Sequence, residues 1–144
     1  MKILVDADAC PVKNIIVSTA KKYHIPVTML TDTSHELNDG YSKIITVDKA
    51  RDSVDFALMK ILSQEDIVVT QDFGLAAMVL GKGARALNNN GLIYTDYNMD
   101  KLLFERFLGQ KVRRSGGRTT NPKKRTREDN EKFAASLLLL ISSN

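Results

Sequence analysis

Five aspartates carry the clearest chemical potential in this 144-residue chain: Asp6, Asp8, Asp52, Asp55 and Asp72. Asp6 and Asp8 follow the short apolar run Ile3-Leu4-Val5, which reads as a strand buried on both faces of a parallel sheet. Pro11, close behind them, opens a helical pattern, the position where a missing N–H does no harm. The reading is strand, acidic turn, helix, and ligands bind at the carboxyl ends of strands in open α/β sheets. Two neighbouring carboxylates repel each other unless a positive group lies between them, and a divalent cation meets that need. The simpler alternative is capping. Asp8 would cap the first helix, Asp52 the second and Asp72 the third, each for about 1 kcal/mol, while Asp55 would suit a helix dipole.

The elements that must position these acids alternate along the chain. A helix is expected over about Pro11–Tyr23, with Val12, Ile15, Ile16, Thr19, Ala20 and Tyr23 on its apolar face. Strands are expected at Val27–Leu30, Ile44–Val47 and Ile67–Thr70, with a loop around Asn38-Asp39-Gly40. A second helix is expected from about Asp52 to Leu62 and a short third one over Leu75–Leu80. Ala84–Leu87 and Leu92–Thr95 are weaker strands that either pair as a hairpin or send one member into the main sheet. Asn98 is placed as the cap of a fourth helix ended by Gly109. Thr126 and Asp129 fit a capping box for a last helix, whose Phe133, Ala134, Leu137, Leu138 and Ile141 dock on the body. Alternating strands and helices predict a three-layer α/β/α, doubly wound, mainly parallel sheet in one domain, residues 1–144. All five aspartates then fall on its carboxyl edge. Such an all-oxygen set favours Mg²⁺ or Mn²⁺ over zinc.

Charge is unevenly spread. Between Gly109 and Arg127 there are eight basic residues and no acid: Lys111, Arg113, Arg114, Arg118, Lys123, Lys124, Arg125 and Arg127. The rest of the chain carries thirteen basic and seventeen acidic residues. A mildly acidic body with a basic strap, read as a loop over 109–127, suggests an anionic partner held beside a cation site. A solvated linker is the alternative. A single cysteine, Cys10, excludes an intrachain disulfide and a cysteine-based zinc site, and a packed, inert thiol is expected there. The longest apolar run, Leu137–Ile141, is far short of the ~20 residues needed to cross a bilayer. Met1-Lys2-Ile3 runs straight into the first strand, so no removable leader and a cytoplasmic location are expected.

The stretches Val5-Asp6-Ala7-Asp8-Ala9-Cys10-Pro11, Ala50-Arg51-Asp52-Ser53-Val54-Asp55, Val69-Thr70-Gln71-Asp72-Phe73-Gly74 and Lys82-Gly83-Ala84-Arg85-Ala86-Leu87-Asn88 together resemble the YaiI/YqxD family. Gly91, Tyr94-Thr95, a Gly- and Arg-containing segment and a final helix extend the resemblance over nearly the whole chain. That family is placed among PIN-like domains, whose relatives are mostly metal-dependent nucleases. The resemblance implies an acidic site of Asp6, Asp52 or Asp55, and Asp72, with Asp8 auxiliary, and a nucleic-acid partner, RNA over DNA. Departures are Ala50 where the family has Gly, Gly74 where it has Pro, and Thr120-Asn121-Pro122 where it has Gly-Gly-Pro. None removes a carboxylate.

The expected function is therefore a Mg²⁺- or Mn²⁺-dependent nuclease, with Lys111, Arg113, Arg114, Arg118, Lys123, Lys124 and Arg125 holding phosphates. Two other readings compete. One is a non-catalytic nucleic-acid-binding or scaffold protein. The other is a haloacid-dehalogenase-like phosphatase, in which Asp6 would be the nucleophile and Asp8 the acid/base.

Overall fold

The computed structural model describes residues 1–32, 37–48, 53–116 and 124–143. Five parallel strands form the sheet: β1 (Ile3–Asp6), β2 (Val27–Thr31), β3 (Lys43–Thr46), β4 (Ile67–Val69) and β5 (Arg85–Leu87), in the order β3-β2-β1-β4-β5. β1 lies at the centre, with Val5 in register with Met29 on one side and Val69 on the other. Its Ile3, Leu4 and Val5 are fully buried, as the unbroken apolar run requires.

Strand alternation divides the core in two. Ile3, Val5, Met29, Val69 and Leu87 meet α1 (Lys13–Lys22) and α5 (Arg127–Ser142) through Ile16, Ala20, Phe133 and Leu137. Leu4, Leu30, Val68 and Ala86 meet α2 (Val54–Ile61), α3 (Phe73–Gly81) and α4 (Asp96–Arg114) through Leu58, Leu75, Val79 and Met99. The three-layer α/β/α arrangement follows from these two packed faces. β3 forms one edge, and its lysine and threonine ends are exposed.

Several boundaries differ from expectation for local reasons. α1 begins two residues late, after Val12, and buries Val17 while Tyr23 stays 41% exposed. Only β5 of the two weak strands joins the sheet; the second contributes an isolated antiparallel bridge between Leu87 and Ile93. Thr95, not Asn98, caps α4, and Asn98 completes a capping box as its reciprocal partner. Gly109 does not end that helix, which runs on to Arg114, so the basic stretch begins as helix rather than loop. The capping box of Thr126 and Asp129 forms as expected, and α5 buries Leu140 where Leu138 was expected. Among the described residues no helix is long and apolar enough to cross a membrane.

Candidate functional site

The chain reverses its winding direction about β1, which pairs with β2 on one side and with the later β4 on the other. The cleft outside the carboxyl ends of β1 and β4 is thus the topological switch point of the sheet. Asp6 ends β1 there. Across the cleft Thr70 and Asp72 follow β4, and Asp55 lies in the first turn of α2.

Thr70, which the sequence reading quoted only as part of a motif, ties the two strand ends together. Its hydroxyl donates to Asp6 Oδ2 at 3.0 Å and accepts the Asp72 N–H at 3.0 Å. Burial pushes the Asp6 carboxyl up to about 6. The Thr70 hydroxyl opposes that rise, and the charges of Asp55, Asp8 and Asp72 add to it. Asp55 is also raised, by burial and then by the carboxylate of Asp72, with which it shares a hydrogen bond. The three acids therefore interact across the switch point, where the Asp72 charge disfavours ionisation of both Asp6 and Asp55.

Asp72 does act as a cap, as the simpler reading held. Its Oδ1 accepts from the N–H groups of Gly74 and Leu75 at the start of α3. Asp8 does not cap α1. Its Oδ1 accepts the Thr31 hydroxyl and its Oδ2 the Asp32 N–H, so both oxygens hold the end of β2. Burial raises its carboxyl, but those two donors outweigh it and leave the group below the usual carboxylate range. Ala9, at φ 55, takes the left-handed conformation that turns the chain from Asp8 into α1. Asp52 lies outside the described residues, and Ser53 caps α2 by accepting from Phe56 N–H.

Tyr94 forms the floor. It is 2% exposed, its hydroxyl donates to the Thr70 carbonyl, and its ring meets Phe73 edge-on. Burial and the Asp72 charge push its phenol up to about 12, so it stays a neutral donor. Cys10 is buried, with its thiol raised by desolvation, which matches the expected inert thiol.

The basic residues divide by position. Lys111, Arg113 and Arg114 occupy the exposed last turns of α4. Lys124 is exposed, and Arg118 and Lys123 lie outside the described residues. Arg125 is committed to the fold: it donates to Asn130 Oδ1, to Asn90 Oδ1 and to the Asn89 carbonyl. Asn89 in turn accepts from Cys10 and donates its N–H to Gln71, so Arg125 anchors the strap beside the acidic turn. Lys13, which the sequence reading passed over, is the cation whose charge favours ionised Asp8.

Among the described residues no group of three or more His, Cys, Asp or Glu is spaced to hold a metal ion. The donors are nevertheless of the kind a hard divalent cation takes: carboxylate oxygens, of which those of Asp6 and Asp55 are partly buried and raised.

A family model described as "Uncharacterized BCR, YaiI/YqxD family" matches residues 4–143. A UPF0178 protein of Ruminiclostridium cellulolyticum is 67% identical over 141 residues, 98% of this chain and 92% of that relative. A UPF0178 protein of Alkaliphilus oremlandii is 51% identical over 144 residues, covering 100% of this chain and 93% of its own. One of Clostridium tetani is 48% identical over 141 residues, covering 98% and 97%. No solved structure matches the chain.

Proposed function

The chain belongs to the YaiI/YqxD family, and on that footing we propose that it is a Mg²⁺- or Mn²⁺-dependent phosphodiesterase acting on nucleic acid. The observation that carries the reading is the meeting of Asp6, Asp55 and Asp72 at the switch point, where burial and mutual repulsion raise Asp6. A divalent cation would relieve that repulsion and favour the ionised forms of Asp6 and Asp55. When bound, it supplies Lewis acidity toward water and phosphate oxygens.

The chain's own residues have separable tasks in this reading. Asp6, Asp55 and Asp72 would hold the cation, drawing together around it from their spacing here, with Asp52 extending the set. Thr70 aims the Asp6 carboxylate and fixes its spacing from Asp72. Asp8 is a positioning residue, because both of its oxygens already serve the β2 terminus. Arg113, Arg114 and Lys124 neutralise phosphates flanking the one to be cleaved, and this sequence-independent contact sets register. Arg125 contributes by anchoring the strap.

The same geometry disfavours the phosphatase reading. A general acid needs its pKa raised toward the working pH, whereas Asp8 is lowered.

Thermal unfolding with and without Mg²⁺ or Mn²⁺ tests the site, comparing wild type with Asp6→Asn/Asp72→Asn. Asn retains the capping acceptor at position 72, so the variant keeps α3. Wild type should gain stability with cation and the variant should not. In parallel, end-labelled single- and double-stranded RNA and DNA should be cut by wild type only with cation present. An equal cation shift in the variant places the ion elsewhere. Nucleic-acid binding that persists in EDTA, without cleavage in Mn²⁺, replaces the enzyme with a binding protein.

A further inference from the structure

α4 has two apolar faces, and the fold uses only one. At 100° per residue, Met99, Leu102, Arg106 and Gly109 share one side of the helix. Met99 is buried, Leu102 packs on the same core, and the Arg106 guanidinium lies 5.9 Å from the centre of the Phe73 ring. The opposite side carries Phe104 and Phe107, which are 60% and 57% exposed, flanked by Leu103 and Leu108 at 44% and 43%. Two phenylalanines and two leucines side by side in solvent are a contiguous apolar strip, the kind of surface that marks an interface. Its position opposite the docking face means that no rotation of α4 on this core buries both sides at once.

The occupant follows from the order of residues along the strip. About a point between Glu105 and Arg106, the residues of the strip mirror one another, with charge inverted. Phe104 mirrors Phe107, Leu103 mirrors Leu108, and Asp100 mirrors Lys111. Asp100, Phe104, Phe107 and Lys111, spaced four, three and four, fall within about 60° of helix surface. We propose that this face pairs with itself, joining two copies of the chain through an antiparallel α4–α4 contact on a two-fold axis. In that register Phe104 of each copy meets Phe107 of the other, and Asp100 of each meets Lys111 of the other. The antiparallel arrangement also sets the two helix dipoles head to tail. A parallel pairing would instead put Asp100 on Asp100 and Lys111 on Lys111.

The contact runs from residue 100 to 111, about 17 Å of helix. One helix pair of that length makes a small interface, so the dimer dissociates on dilution and weakens with salt.

Sedimentation velocity of the full chain across a concentration series tests the pairing. Wild type should shift from monomer to dimer. Phe104→Glu/Phe107→Glu should weaken association by about 100-fold or more, since central aromatic anchors dominate such contacts. These side chains are exposed, so the variant should retain the wild-type circular dichroism and melting temperature. The charge pair provides an arm independent of that variant's folding. Asp100→Lys and Lys111→Glu should each weaken the dimer, and the double exchange should restore it. A monomer at every concentration overturns the proposal and leaves the strip to a different partner. A dimer indifferent to both the phenylalanine pair and the charge exchange overturns it too, by placing the interface on another face.

Discussion

Burial at the end of β1 desolvates the Asp6 carboxyl and raises it, and the charges of Asp55, Asp8 and Asp72 add to the rise. With a folded-state value of about 6 against 3.8 in the free residue, the folded protein binds a proton that the unfolded chain has released. The stability from this group is complete below about pH 4 and is lost as pH rises through 6. Asp6→Asn removes the ionisation while keeping an acceptor for the Thr70 hydroxyl. The variant should therefore match wild type near pH 4 and become progressively more stable than it toward pH 7, in the absence of divalent cation. Urea unfolding at intervals across that range checks it. A difference that is constant over pH 4–7 would mean that the gain does not come from the carboxyl. Asp66, at the opposite edge of the sheet, shows how the same residue type serves structure. It is buried, accepts from the Lys2 ammonium, the Lys2 N–H and the Ser63 N–H, and lies below the usual carboxylate range because these donors outweigh its burial.

At the scale of elements, α5 is seated by a turn rather than by its apolar face alone. Gly91, at φ +85, brings its Cα so close to α5 that an added Cβ would lie 2.6 Å from the Lys132 carbonyl oxygen. The Gly91 carbonyl meanwhile accepts the Ser136 hydroxyl at 2.6 Å, and Arg125 bonds Asn89 and Asn90 in the same turn. Turn, strap and helix therefore lock as one unit next to Cys10 and Gln71. Gly91→Ala adds both a backbone clash and a left-handed penalty, so it should destabilise the fold by about 2–4 kcal/mol. Chemical denaturation measures that loss. A cost below about 1 kcal/mol would show that α5 shifts freely on the sheet.

For the whole molecule, charge separates the acidic cleft from a basic extension. Arg113 and Arg114 end an exposed helix, where they suit its negative terminus, and they face solvent. Replacing Arg113, Arg114 and Arg118 with Gln should weaken nucleic-acid binding and flatten the dependence of log affinity on log salt. The slope should fall by up to about 0.7 per lost phosphate contact on a single strand. Cation-induced stabilisation should not fall, since a cation site gains nothing from nearby positive charge. Titrations at several salt concentrations read the slope directly. An unchanged slope would end the idea that the strap tracks phosphates, without touching the acidic cleft.

The sequence by itself determined the parallel α/β architecture, because unbroken apolar runs such as Ile3-Leu4-Val5 can be satisfied only between two helical layers. It also placed Asp6, Asp55 and Asp72 at one sheet edge, since each follows a strand or opens a helix after one. Local capping was legible where side chain and backbone lie three residues apart, as in Thr126 with Asp129. What each polar side chain does depended on partners distant in the chain, and only the tertiary structure decided it. Asp8 holds Thr31 and Asp32 across a strand pair, Thr70 links Asp6 to Asp72, and Arg125 staples Asn89, although in sequence Asp8 and Arg125 read as site residues and Thr70 only as part of a motif. The length of α4 was hidden for the same kind of reason. Gly109 is a weak helix former, but a glycine ends a helix only where the next residues leave it, and the residues beyond it to Arg114 continue instead.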